Sequence, residues 1–285
     1  MLVKDFFDNY YQPLRLQNTR SQETIRLYGL LIRRFSEFLE RQAETKDLNN
    51  LTVARFISSR LQVRSPHTAE RERNQLVAMW RLANTHGVVR ELPDMKPLAL
   101  PRKTPKAWTV EQLHQLVVIA SSQPGRVGKV RAGYFWRGLI LCLFETAERI
   151  GAIMECKPED LQGNTLTVKA EYRKGGKMSQ TYYLSDQTRN LLSAIAGKDR
   201  IFVWPKCRTY LWDRFRKISE EAGLYEPRLG FHTLRRSAAS HYAACGMNPS
   251  ILLGHCDPRV TERYLDPRIT EENQPKPYEV LPKIG

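Results

Sequence analysis

Near the end of the chain, Gly254 and His255 are followed, nine positions after the histidine, by Tyr264. An arginine pair, Arg235 and Arg236, stands about twenty residues upstream of that histidine, with His232 just before it. Earlier still, Arg149 follows a long apolar run, and Lys174 precedes the pair Gly175-Gly176. These residue types suit one kind of chemistry. A phosphodiester resists attack because its oxygens are negative and its alkoxide leaves poorly. Catalysis needs cations on the non-bridging oxygens, a nucleophile in line and a proton donor for the departing oxygen. Arginine is always charged and offers a planar fork to phosphate. A phenol can attack, and lysine and histidine can move protons. Each residue taken singly has a plainer explanation. Tyr264 is one of twelve tyrosines and could be an amphipathic packer. His232 could be structural, Arg149 could pair with Glu145 or Glu155, and the lysine turn could be a solubilising surface.

It is the ordered set that carries weight. Arg149 in "TAERIGAI", Lys174 in "RKGGK", His232 and Arg235 in "HTLRR", His255 in "LLGH", and Tyr264 nine residues on together resemble the tyrosine recombinase, or phage integrase, family. The resemblance spans residues 108–270, and more loosely the helical region before it. It implies a site-specific DNA recombinase that cuts and rejoins strands through a 3′-phosphotyrosine. Arg149 and Arg235 would hold the two non-bridging oxygens and Lys174 would protonate the 5′ oxygen, with Lys177 as the alternative lysine. His232 and His255 would bond the phosphate and help move the phenol proton, and Tyr264 would attack. No metal, nucleotide or other cofactor is implied, and the sequence holds no P-loop or acidic metal cluster. The implied partners are double-stranded DNA, three further copies of the chain in a tetramer on two DNA sites, and accessory DNA-bending proteins. A non-catalytic DNA-binding relative and a type IB topoisomerase-like relaxing enzyme are the alternatives. His241 and Cys245, with His255 and Cys256, could be drawn as a zinc site, but the adjacent final pair suits a metal poorly.

The sequence departs from the family pattern in places. The arginine box usually reads T-G-L-R-x-S-E-L. Here Glu148 precedes Arg149, and Ala152 stands where a buttressing glutamate is common, so that support must come from elsewhere. Arg236 stands where histidine is frequent, and the interval from Gly246 to Gly254 is about three residues short.

Elements must bring these residues together. The expected fold is mainly α with a small β-hairpin (α+β). Residues 1–90 read as a helical DNA-binding (core-binding) domain. Ile25, Tyr28, Ile32, Phe35 and Leu39 make one apolar face. Ser65 is the expected cap and Pro66 the first position of a later helix that ends at Gly87. Residues 91–107 hold four prolines and read as an extended basic linker. Residues 108–268 form the expected catalytic domain, opened by a capping box at Thr109 and Gln112. Within it Leu166 and Val168 alternate toward a core face, as do Tyr182 and Leu184, in a hairpin turning at Gly175-Gly176. Asn248, Gly254, Asp257 and Pro267 bound two short helices, with Tyr264 near the end of the second. Residues 269–285 form a polar tail, read either as a docking arm for a neighbouring protomer or as simple disorder.

Charge agrees with a nucleic-acid partner. The net charge is +15, of which +8 lies in residues 1–107 and +7 beyond, so both halves favour a long anionic partner. The candidate DNA contacts are Arg26, Arg33 and Arg34 on the first amphipathic face, Arg102, Lys103 and Lys106 in the linker, and Arg173 and Arg236 beside the site. Five cysteines without a C-x-x-C suit a reduced compartment. No apolar run reaches membrane-spanning length. The expected location is the cytoplasm, on nucleoid DNA.

Overall fold

The computed structural model describes residues 1–17, 22–101, 104–175, 178–227, 229–255 and 257–271. The chain divides into two compact units, Met1–Arg102 and Lys103–Gly285.

The first unit is helical. Three short pieces, Val3–Phe6, Phe7–Tyr11 and Gln12–Arg15, precede the helices Gln22–Phe38, Asn50–Val63 and Pro66–Thr85. Caps set their ends. The Asn49 side chain accepts from Thr52 N, and Ser65 accepts from Thr68 N ahead of Pro66. Gly87 stops the last helix at φ 68°, a conformation that costs a residue with a Cβ about 1–2 kcal/mol. The apolar stripe of the first long helix faces inward, burying Tyr28, Leu31, Ile32 and Phe35 beside Phe56 and Trp80. Its basic face is divided. Arg26 pairs with Glu23 and Arg33 with Glu37 on the exposed surface. Arg34 instead turns inward with Arg60 onto the buried carboxylate of Glu72, at 2.8 and 2.7 Å. Arg34, expected to contact DNA, is thus engaged within the unit: burying Glu72 requires cationic partners, because an unpaired buried charge is costly.

Residues 91–101 form no regular element, as their prolines dictate. They stay on the first unit: Leu98 N donates to Glu70, Arg73 donates to Met95 O, and the Trp80 indole donates to Glu91 O. Arg102 and Lys103 lie outside the described residues.

Early in the second unit, Ala107 and Trp108 are both buried. The capping box forms: Thr109 N donates to Gln112 Oε1 at 3.0 Å and Gln112 N to Thr109 Oγ1 at 3.3 Å. Helix Val110–Ser121 packs on the apolar helix Ala132–Thr146, whose Phe135, Trp136, Leu139, Ile140, Cys142 and Leu143 lie in the core. Between the two, Arg126–Val127 pairs with Val130–Arg131, strands too short for any alternation to reveal them. A three-stranded antiparallel sheet follows, in the order Leu161–Gln162, Thr165–Val168, Gln180–Tyr183. Leu166 pairs with Tyr182, and Leu166, Val168 and Tyr182 point into the core. Helices Asp186–Ile195, Arg208–Glu221 and Phe231–Ala244 complete the layer around it. The short pieces Pro249–Leu253, Pro258–Thr261, Glu262–Tyr264 and Pro267–Thr270 end the described chain. The fold is mostly helical with small antiparallel sheets. Among the described residues no helix is long and apolar enough to cross a membrane.

Candidate active site

The second unit brings Arg149, His232, Arg235, His255 and Tyr264 to one place from four separate segments. The apolar helix Ala132–Thr146 ends because Ala147 adopts the left-handed conformation, φ 50° and ψ 18°. The chain then reverses, so that Glu148 enters the interior and Arg149 caps the short helix Ile150–Ile153. Helix Phe231–Ala244 presents His232 at an exposed position and Arg235 one turn later at a buried one. Gly254, at φ 63°, closes helix Pro249–Leu253 and hands the chain to His255. Asp257 caps the next helix by accepting from Arg259 N, and a single tighter turn, Glu262–Tyr264, completes it.

Arg235 is only 1% exposed. One Nη donates to Ala147 O, and the other donates to Leu253 O at 2.9 Å and approaches His255 Nε2 at 3.3 Å. Arginine has no acceptor, so His255 Nε2 must be unprotonated and its proton sits on Nδ1. That nitrogen lies 3.0 Å from Thr261 Oγ1, which can accept the proton's hydrogen bond. Tyr264 packs against the small buried cluster of Ala147, Ala238, Ala239 and Leu253. It is flanked by the His232 ring at 5.0 Å and the His255 ring at 5.2 Å between centroids. The Arg235 guanidinium carbon lies 5.5 Å from its centroid. Ser240 ties the segment down, accepting from Asp266 N at 2.9 Å and donating to Tyr264 O at 3.5 Å.

Cations set the electrostatics. His255 is pushed down to about 4, by burial first and then by Arg235 and Arg149. His232 is also lowered to about 4, by desolvation and then by Arg236, Arg235 and Arg149. Because solvent reaches the exposed His232 ring, the guanidinium cluster is the stronger physical cause there. Arg235 itself is lowered by burial and then by Arg149, with Glu148 opposing the shift only in part.

One carboxylate answers part of that charge. Glu148, 1% exposed, accepts from Tyr182 Oη at 2.9 Å and pairs with Arg173 Nε at 2.6 Å through Oε1. Its Oε2 accepts from Arg149 N at 2.9 Å and lies 3.8 Å from Arg235. Sequence reasoning noted Glu148 but assigned it nothing. The available signal was a carboxylate placed between an apolar helix and a candidate phosphate-binding arginine.

Residues 108–271 match the pattern that defines the phage integrase family. The chain belongs to that family. Its members are DNA strand-cleaving and rejoining enzymes of the tyrosine recombinase class. The chain is 25% identical over 260 residues to tyrosine recombinase XerA of Thermococcus kodakarensis, a match covering 86% of this chain and 85% of that protein. In fold it is similar to lambda integrase, solved as a tetramer bound to a Holliday junction, with TM-score 0.75 and 17% identity over 97% of this chain and 80% of that one. It is also similar to the Tn1549 transposon integrase in complex with a circular-intermediate DNA, with TM-score 0.72 and 14% identity over 93% and 95%.

Other residues singled out from the sequence fall as follows in this recombinase. Lys174 is exposed at the hairpin turn, and Lys177 lies outside the described residues. Arg173 does not remain at the hairpin surface as a free DNA contact, because its guanidinium turns inward to Glu148, Met178 O and Gln180. Arg236 is half-buried beside Tyr264, and exposed Lys106 pairs with Glu226. Arg149 takes neither expected acidic partner, since Glu145 accepts from Ser185 and Thr188 and Glu155 pairs with Arg200. His241 is engaged with Trp108 O at 3.0 Å, and Cys256 lies outside the described residues, as does the tail from residue 272.

Proposed function

We propose that this chain is a site-specific DNA recombinase whose strand transfer is carried by Arg149, Lys174, His232, Arg235, His255 and Tyr264. The observation that carries the reading is the Tyr264 ring held between two imidazoles and against the buried Arg235 guanidinium.

The Tyr264 oxygen attacks phosphorus and the bond to the 5′ oxygen breaks. The phenol proton passes to an imidazole, and Lys174 donates a proton to the departing 5′ oxygen. The products are a 3′-phosphotyrosine and a free 5′-hydroxyl. Attack by a 5′-hydroxyl from another strand restores the phosphodiester and returns the proton to the phenolate. Arg149 and Arg235 bear the charge on the non-bridging oxygens, each contributing about 10²–10³ in rate by analogy with an oxyanion-hole donor. His255 has its proton on Nδ1 and a lone pair on Nε2, the state a proton acceptor needs. A phosphodiester in the cluster adds the negative charge that the free site lacks and strengthens both imidazoles as bases when substrate is present.

The partner is duplex DNA, engaged by cations of both units, including Arg26 and Arg33 of the first and Arg236 of the second. Arg102, Lys103 and Lys106 supply further positive charge along the connection. Recombination joins two duplexes, so the working assembly is a tetramer, with accessory DNA-bending proteins shaping the sites. The tail 269–285 docks on a neighbouring protomer. Residues 1–90 serve as the core-binding domain, 91–107 as the linker and 108–268 as the catalytic domain. The setting is the cytoplasm, on nucleoid DNA.

The test is adduct capture. The protein is incubated with fragmented genomic DNA, covalent complexes are recovered, and the joined fragments are sequenced. A 3′-phosphotyrosine at a recurrent sequence, absent in Tyr264→Phe, is the expected result. An adduct that persists in Tyr264→Phe would overturn the reading, as would tight DNA binding with no adduct at all.

A further inference from the structure

Glu148 and Arg173 have no role in the mechanism above, yet they form a close, deeply buried ion pair beside it. The Glu148 side chain is fully enclosed and that of Arg173 is 9% exposed. Arg173 is the residue immediately before Lys174. Its guanidinium spans the mouth of the hairpin loop, donating to Met178 O at 3.1 Å and Gln180 Oε1 at 2.9 Å on the returning strand. Gln180 in turn donates to Ile251 O at 2.9 Å and Leu252 O at 3.3 Å. The helix bearing those carbonyls ends at Gly254, where a Cβ would come within 2.4 Å of Arg173 Nη2 and 2.6 Å of Gln180 Oε1. His255 is the next residue. One carboxylate thus joins the backbone of Arg149, the guanidinium of Arg235, the root of the Lys174 loop and, through Gln180, the turn before His255.

We infer that Glu148 and Arg173 are positioning residues that latch the hairpin, so that the exposed Lys174 is delivered to the leaving oxygen. The pair also supplies the acidic support absent at Ala152. The physical argument is geometric. A lysine on a free glycine turn samples many positions, whereas a general acid must sit within hydrogen-bond reach of its target. Arg173 cannot leave the loop mouth without stripping the buried Glu148 carboxylate of its closest cation, so the latch holds the loop root while Lys174 itself stays free to reach.

The inference rests on the reading of Lys174 as the acid, and the experiment separates the two. Single-turnover adduct formation is measured on a nicked duplex carrying the captured site. One substrate has the natural 5′ oxygen and the other has sulfur at that bridging position. A thiolate leaves without a proton, so sulfur removes the need for an acid and for anything that positions it. Glu148→Gln keeps the size and one acceptor oxygen but loses the charge. It is expected to slow the oxygen substrate by about a hundredfold, the lower end of a general-acid contribution. On the sulfur substrate it should run within about threefold of the parent, against that same scale of effect. Arg173→Gln should reproduce this pattern, and the double variant should add little further loss, because the two act as one unit. Equal slowing on both substrates by Glu148→Gln or Arg173→Gln overturns the latch. If Lys174→Ala is itself not rescued by sulfur, the reading of Lys174 fails, and the latch falls with it. Should Glu148→Gln not fold, Arg173→Gln decides alone.

Discussion

Arg235→Lys separates the two jobs that the structure gives to one guanidinium. In the protein, its two Nη groups serve different carbonyls, Ala147 O on one side and Leu253 O on the other, and the second also meets His255 Nε2. Lysine keeps the charge beside Glu148, but its single ammonium at the end of a shorter stem cannot reach both carbonyls. One buried acceptor is left unpaired, at a cost of about 1–3 kcal/mol. For a unit the size of Lys103–Gly285, that corresponds to a fall in melting temperature of about 2–12 °C, at about 2–4 °C per kcal/mol. The chemistry should suffer more than the fold. Losing the bidentate hold on phosphate in the transition state costs about 10²–10³ in rate. Overall DNA affinity changes little, since this is one phosphate contact among many. The assay is single-turnover adduct formation on a nicked site, read beside a calorimetric melt and a binding titration. A lysine variant that forms adduct within about threefold of the parent rate, against the loss expected of an oxyanion-type donor, would refute the assignment of Arg235 as a bidentate phosphate ligand. An unchanged melting temperature would refute the structural half.

Other consequences can be checked with the same material. Tyr264→Phe keeps the ring between its histidines and should bind DNA and melt like the parent while forming no adduct, so a shifted melt would reveal an undetected role for the hydroxyl. The pH dependence of stability follows from the two depressed imidazoles. The unfolded chain takes up a proton near 6.5 while the native His255 and His232 resist it down to about 4, so the unfolded state binds more protons in that window. The melting temperature should fall as pH drops from about 6.5 toward 4 and be insensitive to these groups above it. His255→Gln should flatten that slope, and an unchanged slope would show that the cluster does not govern this histidine. Gly254→Ala places a Cβ against Arg173 and Gln180 at φ 63°, which should destabilise by about 1–2 kcal/mol from the left-handed conformation alone. The same change should loosen the hairpin root, so faster proteolysis within residues 173–180 is the accompanying sign.

What was legible in the sequence was whatever local chemistry dictates. Ser65-Pro66 and the Thr109/Gln112 box state their helix starts outright. The alternation of Leu166, Val168, Tyr182 and Leu184 gave the hairpin and its inward face. The ordered set of Arg149, His232, Arg235, His255 and Tyr264 resembles the tyrosine recombinase pattern, and that resemblance is what led to the expectation that they converge. Illegible residues were those whose partners are distant along the chain. Arg34 looked like its neighbour Arg33 until Glu72 claimed it. Arg173 looked like a loop cation next to Lys174, and nothing within the hairpin says that a carboxylate twenty-five residues earlier is buried beneath it. A charge run on an amphipathic face does not say which member is paired, since that choice is made by tertiary packing.

The altered arginine box makes sense as one linked set of changes. Ending a helix in the left-handed conformation favours glycine, yet Ala147 occupies that place at φ 50°, against a cost of about 1–2 kcal/mol. Its methyl is fully buried in a cluster with Ala238, Ala239 and Leu253, against which Tyr264 also packs. Burying a methyl is favourable by about 0.8 kcal/mol, which offsets much of the strain. The reversal at Ala147 aims its carbonyl at Arg235 and turns the next side chain inward. An apolar residue there would leave Arg149, Arg173 and Arg235 facing one another without a counter-ion. Glu148 occupies it, accepting from Arg149 N and Tyr182 Oη and pairing with Arg173 and, at 3.8 Å, with Arg235. With acidic support at 148, the helix Ile150–Ile153 no longer has to carry it, and a small residue at Ala152 can pack in the core instead. Part of the site's positive charge is thus answered from position 148, four residues before Ala152. A search for the family's residues position by position would therefore pass over Glu148, the carboxylate that pairs with Arg173 and approaches Arg235.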